Sequence, residues 1–138
     1  MKTKHLFMLV AFVATIQFSF AQKIKIKKGI ATVDKEALCK IEKDDVSRGA
    51  FYINNLDDEQ LLYAKWIDWG QYGYFEIYKA NDLDTILFET EAGIGYRKWL
   101  VKKLYKAKAL SNSGLDEEKL TVFSKKIGKE FSRKRNRY

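Results

Sequence analysis

Histidine, cysteine and proline are almost missing from this chain. His5 is the one imidazole, Cys39 the one thiol, and proline is absent from all 138 residues. Each scarcity excludes something. One cysteine cannot close an intramolecular disulfide, so the fold is expected to rest on packing alone. One cysteine and one histidine fall short of the ligand set of a zinc site. No metal and no cofactor is expected. Without proline there is no Pro-rich linker.

Long apolar runs are also scarce, and the longest stands at the N-terminus. Lys2 and Lys4 precede Leu6–Ala14, an apolar stretch, and Ser19-Phe20-Ala21 puts small residues at the positions a signal peptidase reads. A spanning helix needs about 20 apolar residues, and Gln17 and Ser19 interrupt this run. Residues 1–21 are therefore expected to be a cleaved signal peptide, with the exported chain starting at Gln22. A lipoprotein would carry a cysteine after the cut, where Gln22 stands. No later segment is long and apolar enough to span a bilayer, so the exported form is expected without a transmembrane segment. The expected location is periplasmic or extracellular. Cleavage would remove His5, and Ser-His-Asp or Cys-His catalysis in its ordinary form goes with it.

What is plentiful is charge, unevenly spread. Residues 22–95 hold 10 Lys/Arg and 14 Asp/Glu, whereas residues 96–138 hold 14 Lys/Arg and 4 Asp/Glu. The positive field belongs to the last third, which points to an anionic partner such as a polymer or a lipid surface. A charged face also serves solubility alone. Sequence-specific nucleic-acid recognition is not expected.

The period of the apolar pattern changes at the same place. Before residue 96 the chain offers short β-branched or aromatic runs separated by Gly, Asn and Asp: Lys23–Lys27, Ile30–Val33, Ala37–Lys43, Gly49–Ile53, Gln60–Asp68, Tyr74–Tyr78 and Thr85–Glu89. Strict alternation puts Cys39 on one face with Ala37 and Ile41, buried and inert. From Tyr96 to Leu110 the spacing becomes helical, with Tyr96, Trp99, Leu100, Leu104, Ala107 and Leu110 on one face. Asp116, Glu117 and Glu118 open a second helix that Gly128 closes, with Leu120, Phe123 and Ile127 on its apolar face. The fold class expected is α+β: an antiparallel β-meander of about six or seven short strands followed by two C-terminal helices. One domain is expected over residues 22–131, with residues 132–138 as a basic disordered tail.

Three groups of residues are candidates for function. Lys98, Lys102 and Lys106 form an i, i+4, i+8 row opposite the apolar helix face, and Arg133, Lys134, Arg135 and Arg137 crowd the tail. Together these are the expected anionic-surface binding residues. Residues 63–78 hold seven aromatics. Trp66 is expected in the core, while Trp69, Gln71 and Tyr72 fall in a turn and are candidate ligand residues, because loops carry function. Among the carboxylates, Asp57, Asp58, Glu59, Asp68, Glu76, Asp82, Asp84, Glu89 and Glu91, a glycosidase would need two facing each other across a cleft. Gly93-Ile94-Gly95 lacks the third glycine and the lysine of a phosphate loop, and reads as a hinge between strand and helix. No catalytic residue stands out. The leading expectation is a small exported binding or accessory protein without catalysis. A carboxylate-dependent hydrolase and an assembly subunit pairing through strand edges are the alternatives.

Overall fold

The computed structural model describes residues 22–137. The expected signal peptide, with His5, lies outside the described residues. Seven strands follow one another in sequence and in space: β1 (Ile24–Lys27), β2 (Ile30–Val33), β3 (Glu36–Lys43), β4 (Phe51–Asn54), β5 (Gln60–Trp69), β6 (Tyr72–Lys79) and β7 (Phe88–Glu91). Every neighbouring pair is antiparallel. Two helices follow, α1 (Tyr96–Lys106) and α2 (Glu117–Ile127), and then a short α3 (Phe131–Arg135). The protein is α+β with meander topology, as the change of period implies.

The core lies between one face of the sheet and the two long helices. Alternation delivers Phe51 and Ile53 from β4, Leu62 and Ala64 from β5, and Phe75 and Ile77 from β6 to the same side. α1 meets them with Tyr96, Leu100, Val101 and Leu104, the last three fully buried. It lies against β1, while α2 lies against β7 through Phe88 and Phe123, whose rings meet edge to face at 5.5 Å. Asp116 caps α2 by accepting from the Lys119 amide at 3.0 Å, and Glu117 and Glu118 follow in its first turn. Those charges favour the free amides there. Trp66 packs against this core from its edge, half-buried.

Three expectations are corrected by the structure. Cys39 is fully buried and shares its face with Ile41, but not with Ala37. A bulge opposite Ala31 and Thr32 leaves Leu38 without a partner, so Leu38 and Cys39 both turn inward and Ala37 is exposed. The last strand is Phe88–Glu91 rather than Thr85–Glu89, because register with β6 starts at Ile77↔Phe88 and outweighs the β-propensity of Thr85 and Ile86. α1 stops at Lys106, and Leu110 instead pairs with Leu115 in a two-residue hairpin, β8 (Leu110–Ser111) with β9 (Gly114–Leu115). α3 docks on the sheet. Phe131 stacks on Tyr74 at 5.1 Å, and the Ser132 amide donates to the Glu89 carboxylate at 3.1 Å.

Both edges of the sheet are short. β1 spans four residues and carries Lys25 and Lys27 on its exposed positions. β7 also spans four, and its Glu89 carbonyl accepts from the Lys129 amide at 3.0 Å. A charged short edge and a covered one are how sheets avoid pairing with a second chain.

Candidate functional site

One end of the sheet gathers three loops: residues 44–50 between β3 and β4, the β5–β6 turn, and residues 92–95 before α1. Three cavities open there, and Ala92 lines all of them.

The deepest chemistry is aromatic. Phe75 and Tyr96 stack at 4.1 Å, nearly parallel, with Phe51 and Trp66 edge-on to Phe75 at 5.7 and 5.2 Å. Phe51, Trp66, Phe75 and Tyr96 line a cleft of about 650 Å³ with Arg48 and Arg97 beside it. The Trp66 indole is seated by Gly73. A Cβ at residue 73 would fall 2.0 Å from the ring, so no other residue lets the indole lie on the strand. Tyr96 is held by Thr90, with its hydroxyl 2.5 Å from Thr90 Oγ1. Burial pushes the Tyr96 phenol up to about 12, so it is neutral in physiological conditions.

A second cavity, of about 660 Å³, is lined by Trp69, Tyr72, Tyr74, Phe131 and Lys134, with Glu91 also on its wall. This brings together Trp69 and Tyr72, two of the expected ligand residues, with Lys134 from the tail. Gln71 is exposed beside them and does not line the cavity. Tyr72 is 73% exposed, and Trp69 faces it in register across the hairpin. A third cavity, of about 280 Å³, runs under the same loop between Tyr96, Trp99 and Ile127.

The sheet face away from the helices carries a polar network rather than apolar side chains. Tyr52, Tyr63 and Tyr78 stand in one row across β4, β5 and β6. In the next row Glu76 faces Glu89 across β6 and β7, and both are buried. Tyr78 donates to Glu76 at 2.5 Å and Tyr74 at 3.2 Å. Burial, with the Glu76 charge beside it, pushes Tyr74 up to about 12, and Tyr78 also moves upward for the same reasons. Tyr63 donates to Asp44 at 2.8 Å, and the Val46 amide at 2.9 Å is the first cause that holds the Asp44 carboxyl below its usual range. Glu89 Oε2 takes the Ser132 amide, while Oε1 has no partner among the described residues. The Glu76–Glu89 juxtaposition is the one place where two of the carboxylates counted in the sequence face each other while buried. They lie under α3, hydrogen-bonded to tyrosines and backbone, not across an open cleft of the kind a glycosidase needs. Among the described residues no group of His, Cys, Asp and Glu is placed to hold a metal ion.

The basic candidates divide. Lys98, Lys102 and Lys106 are exposed on the outer side of α1 and form no ion pair among the described residues. In the tail, Arg133 pairs with Glu130 at 3.0 Å. The Arg135 guanidinium lies 5.9 Å above the Tyr74 ring, half-buried, and Lys134 belongs to the second cavity. Arg137 is exposed. The seven cations thus do not form one surface of equal freedom. Reading the sequence missed Arg48 and Arg97 as partners of an aromatic cleft. A lone arginine in a loop and another on a helix carry no signal until the strands between them are placed.

The chain matches no family model, no curated protein and no solved structure. Its function is therefore argued from these residues.

Proposed function

We propose that this is an exported, non-catalytic binding protein that engages an anionic polymer or membrane surface through its basic C-terminal third, with the outer row of α1 as the contact. The observation that supports it is that Lys98, Lys102 and Lys106 are exposed, successive on one helix face and without a carboxylate partner among the described residues. Their helix is fixed from behind by Leu100, Val101 and Leu104. Three lysines on consecutive turns repel one another, so a bound polyanion is the partner that relieves them. The apolar stripe of α1 is committed to the sheet. Contact is therefore electrostatic and superficial, not an insertion into lipid. Among the described residues no helix is long and apolar enough to cross a membrane.

The test is binding of heparin and of vesicles containing phosphatidylglycerol at low and raised salt. Wild type should bind both anions, and the affinity should fall steeply as salt shortens the field to about 8 Å. The Lys98→Gln/Lys102→Gln/Lys106→Gln variant should keep its fold and lose most of that affinity. A wild-type protein with no salt-dependent affinity for either anion ends this reading.

A further inference from the structure

The cleft between β5, β6 and the start of α1 has a composition that selects a ligand. Its floor is the rings of Phe51, Phe75 and Tyr96, with the half-buried Trp66 as one wall. Its charged lining residues are Arg48 and Arg97, and no acidic side chain lines it. Neither arginine forms an ion pair among the described residues. The Arg97 guanidinium lies 5.1 Å from the centre of the Phe51 ring, over its face. Gly93-Ile94-Gly95 forms another wall, where Ile94 is fully exposed between two glycines.

Each feature bears on what fits. At about 650 Å³ the cleft has the size of a small-molecule site and not that of a groove for a folded partner. Aromatic walls and a bare isoleucine favour an apolar body. Two free guanidinium groups favour a carboxylate, because arginine matches its planar geometry. The phenol of Tyr96 is already engaged with Thr90, so it does not compete for the ligand's polar end. α1 begins at this wall with no acidic residue in its first turn, so its positive end has no built-in counter-charge. The Lys98 row is not among the lining residues of this cleft.

We infer that this cleft binds an apolar monocarboxylate, its ring or acyl body against Trp66, Phe75 and Tyr96 and its carboxylate between Arg48 and Arg97. The site is independent of the proposed polyanion contact, and each can fail without the other.

Calorimetric titration of the whole protein with 2-naphthoate and with decanoate tests it, and the two arms tell an aromatic from an acyl body. Binding of either acid supports the inference and names the body. The corresponding alcohols should bind at least about tenfold more weakly, since they leave the guanidinium groups unpaired. Arg48→Gln and Arg97→Gln should each weaken the acid by about tenfold while circular dichroism stays unchanged. In an amide correlation spectrum the Trp66 indole N–H should shift, and those of Trp69 and Trp99 should move less. The Lys98→Gln/Lys102→Gln/Lys106→Gln variant should bind naphthoate as wild type does. No binding of either acid up to about 1 mM overturns the inference. So do alcohols that bind as well as acids, arginine variants without effect, or loss of binding only in the lysine variant.

Discussion

The two faces of the sheet are buried by different physics. On the helix side, Phe75, Ile77, Phe51 and Ile53 meet Leu100, Val101 and Leu104, side chains without a polar atom, while the Tyr96 hydroxyl beside them bonds Thr90. On the other side, Tyr74, Glu76 and Tyr78 are as deeply buried, but by one another and by α3. Residues 74 to 78 supply both faces alternately. The same strand therefore reports on an apolar core and on a hydrogen-bonded network separated by one backbone thickness. An apolar face tolerates any partner of the right shape. On a tyrosine–carboxylate face each buried polar atom without a partner is costly, so this face depends on α3, whose Ser132 amide satisfies Glu89 Oε2.

Neighbouring substitutions on β6 break that comparison most strongly. Phe75→Ala should cost about 3–5 kcal/mol, the range for emptying a large aromatic site in a core. Tyr74→Phe keeps the ring against Phe131 and removes one donor to Glu76, at about 1 kcal/mol. Urea unfolding of the two variants gives the difference directly. Equal costs would mean that the outer face is packed like the core and that its hydrogen bonds are incidental.

Raising the pH sharpens the comparison next, because both faces hold a buried phenol. Tyr96 on the core face and Tyr74 on the outer face are both pushed up to about 12 in the folded protein, while an unfolded tyrosine titrates near its ordinary value of about 10. The folded state holds its protons where the unfolded state has released them. The stability these two phenols contribute is thus fully present below about pH 10, falls as pH rises towards about 12, and is lost beyond. Each such phenol contributes a slope of up to about 1.4 kcal/mol per pH unit in that window. Denaturation midpoints measured across it should fall steeply in wild type and less steeply in Tyr96→Phe. An unchanged slope in that variant would show that Tyr96 does not hold its proton on folding.

The two faces also differ in how far the sequence reveals them. The core face was legible because apolar residues at period 2 and then 3.6 have one reading: the strands of the meander, both long helices, and Leu120 and Phe123 follow from it. Breaks by Gly29 and by the Asn54–Glu59 turn were legible too, through turn chemistry. What escaped depends on pairing. The bulge that turns Leu38 inward arises between β2 and β3, and no single strand encodes it. The Glu76–Glu89 contact needs the β6–β7 register, and burial of two acids runs against their ordinary preference for water. The docking of α3 rests on one ring, Phe131, at the end of the domain expected over residues 22–131. Helical spacing implies the exposed placement of Lys98, Lys102 and Lys106 on one face of α1. Arg48 and Arg97 carry no such signal, since they lie 49 positions apart in the chain and only the folded sheet joins them.

The smallest expected effect concerns the exposed lysine row of α1. The row on α1 places Lys98 in the first turn and Lys106 in the last. A helix carries partial positive charge at its start and partial negative charge at its end, so a cation is unfavourable at Lys98 and favourable at Lys106. α1 has no acidic residue in its first turn and no side-chain cap at Gly95, and Lys98 therefore meets that field unrelieved. Lys98→Glu should stabilise by about 0.3–1 kcal/mol and Lys106→Glu should destabilise by a similar amount, although both remove the same repulsion from Lys102. The opposite signs separate the helix field from repulsion within the row, which would stabilise both variants alike. Denaturant midpoints at low salt give the sign, and added salt should draw the two variants together. A stabilising Lys98→Glu that also weakens polyanion binding would mean that this lysine stands where folding alone disfavours it. Equal and unsigned effects at the two ends would leave the row explained by solubility.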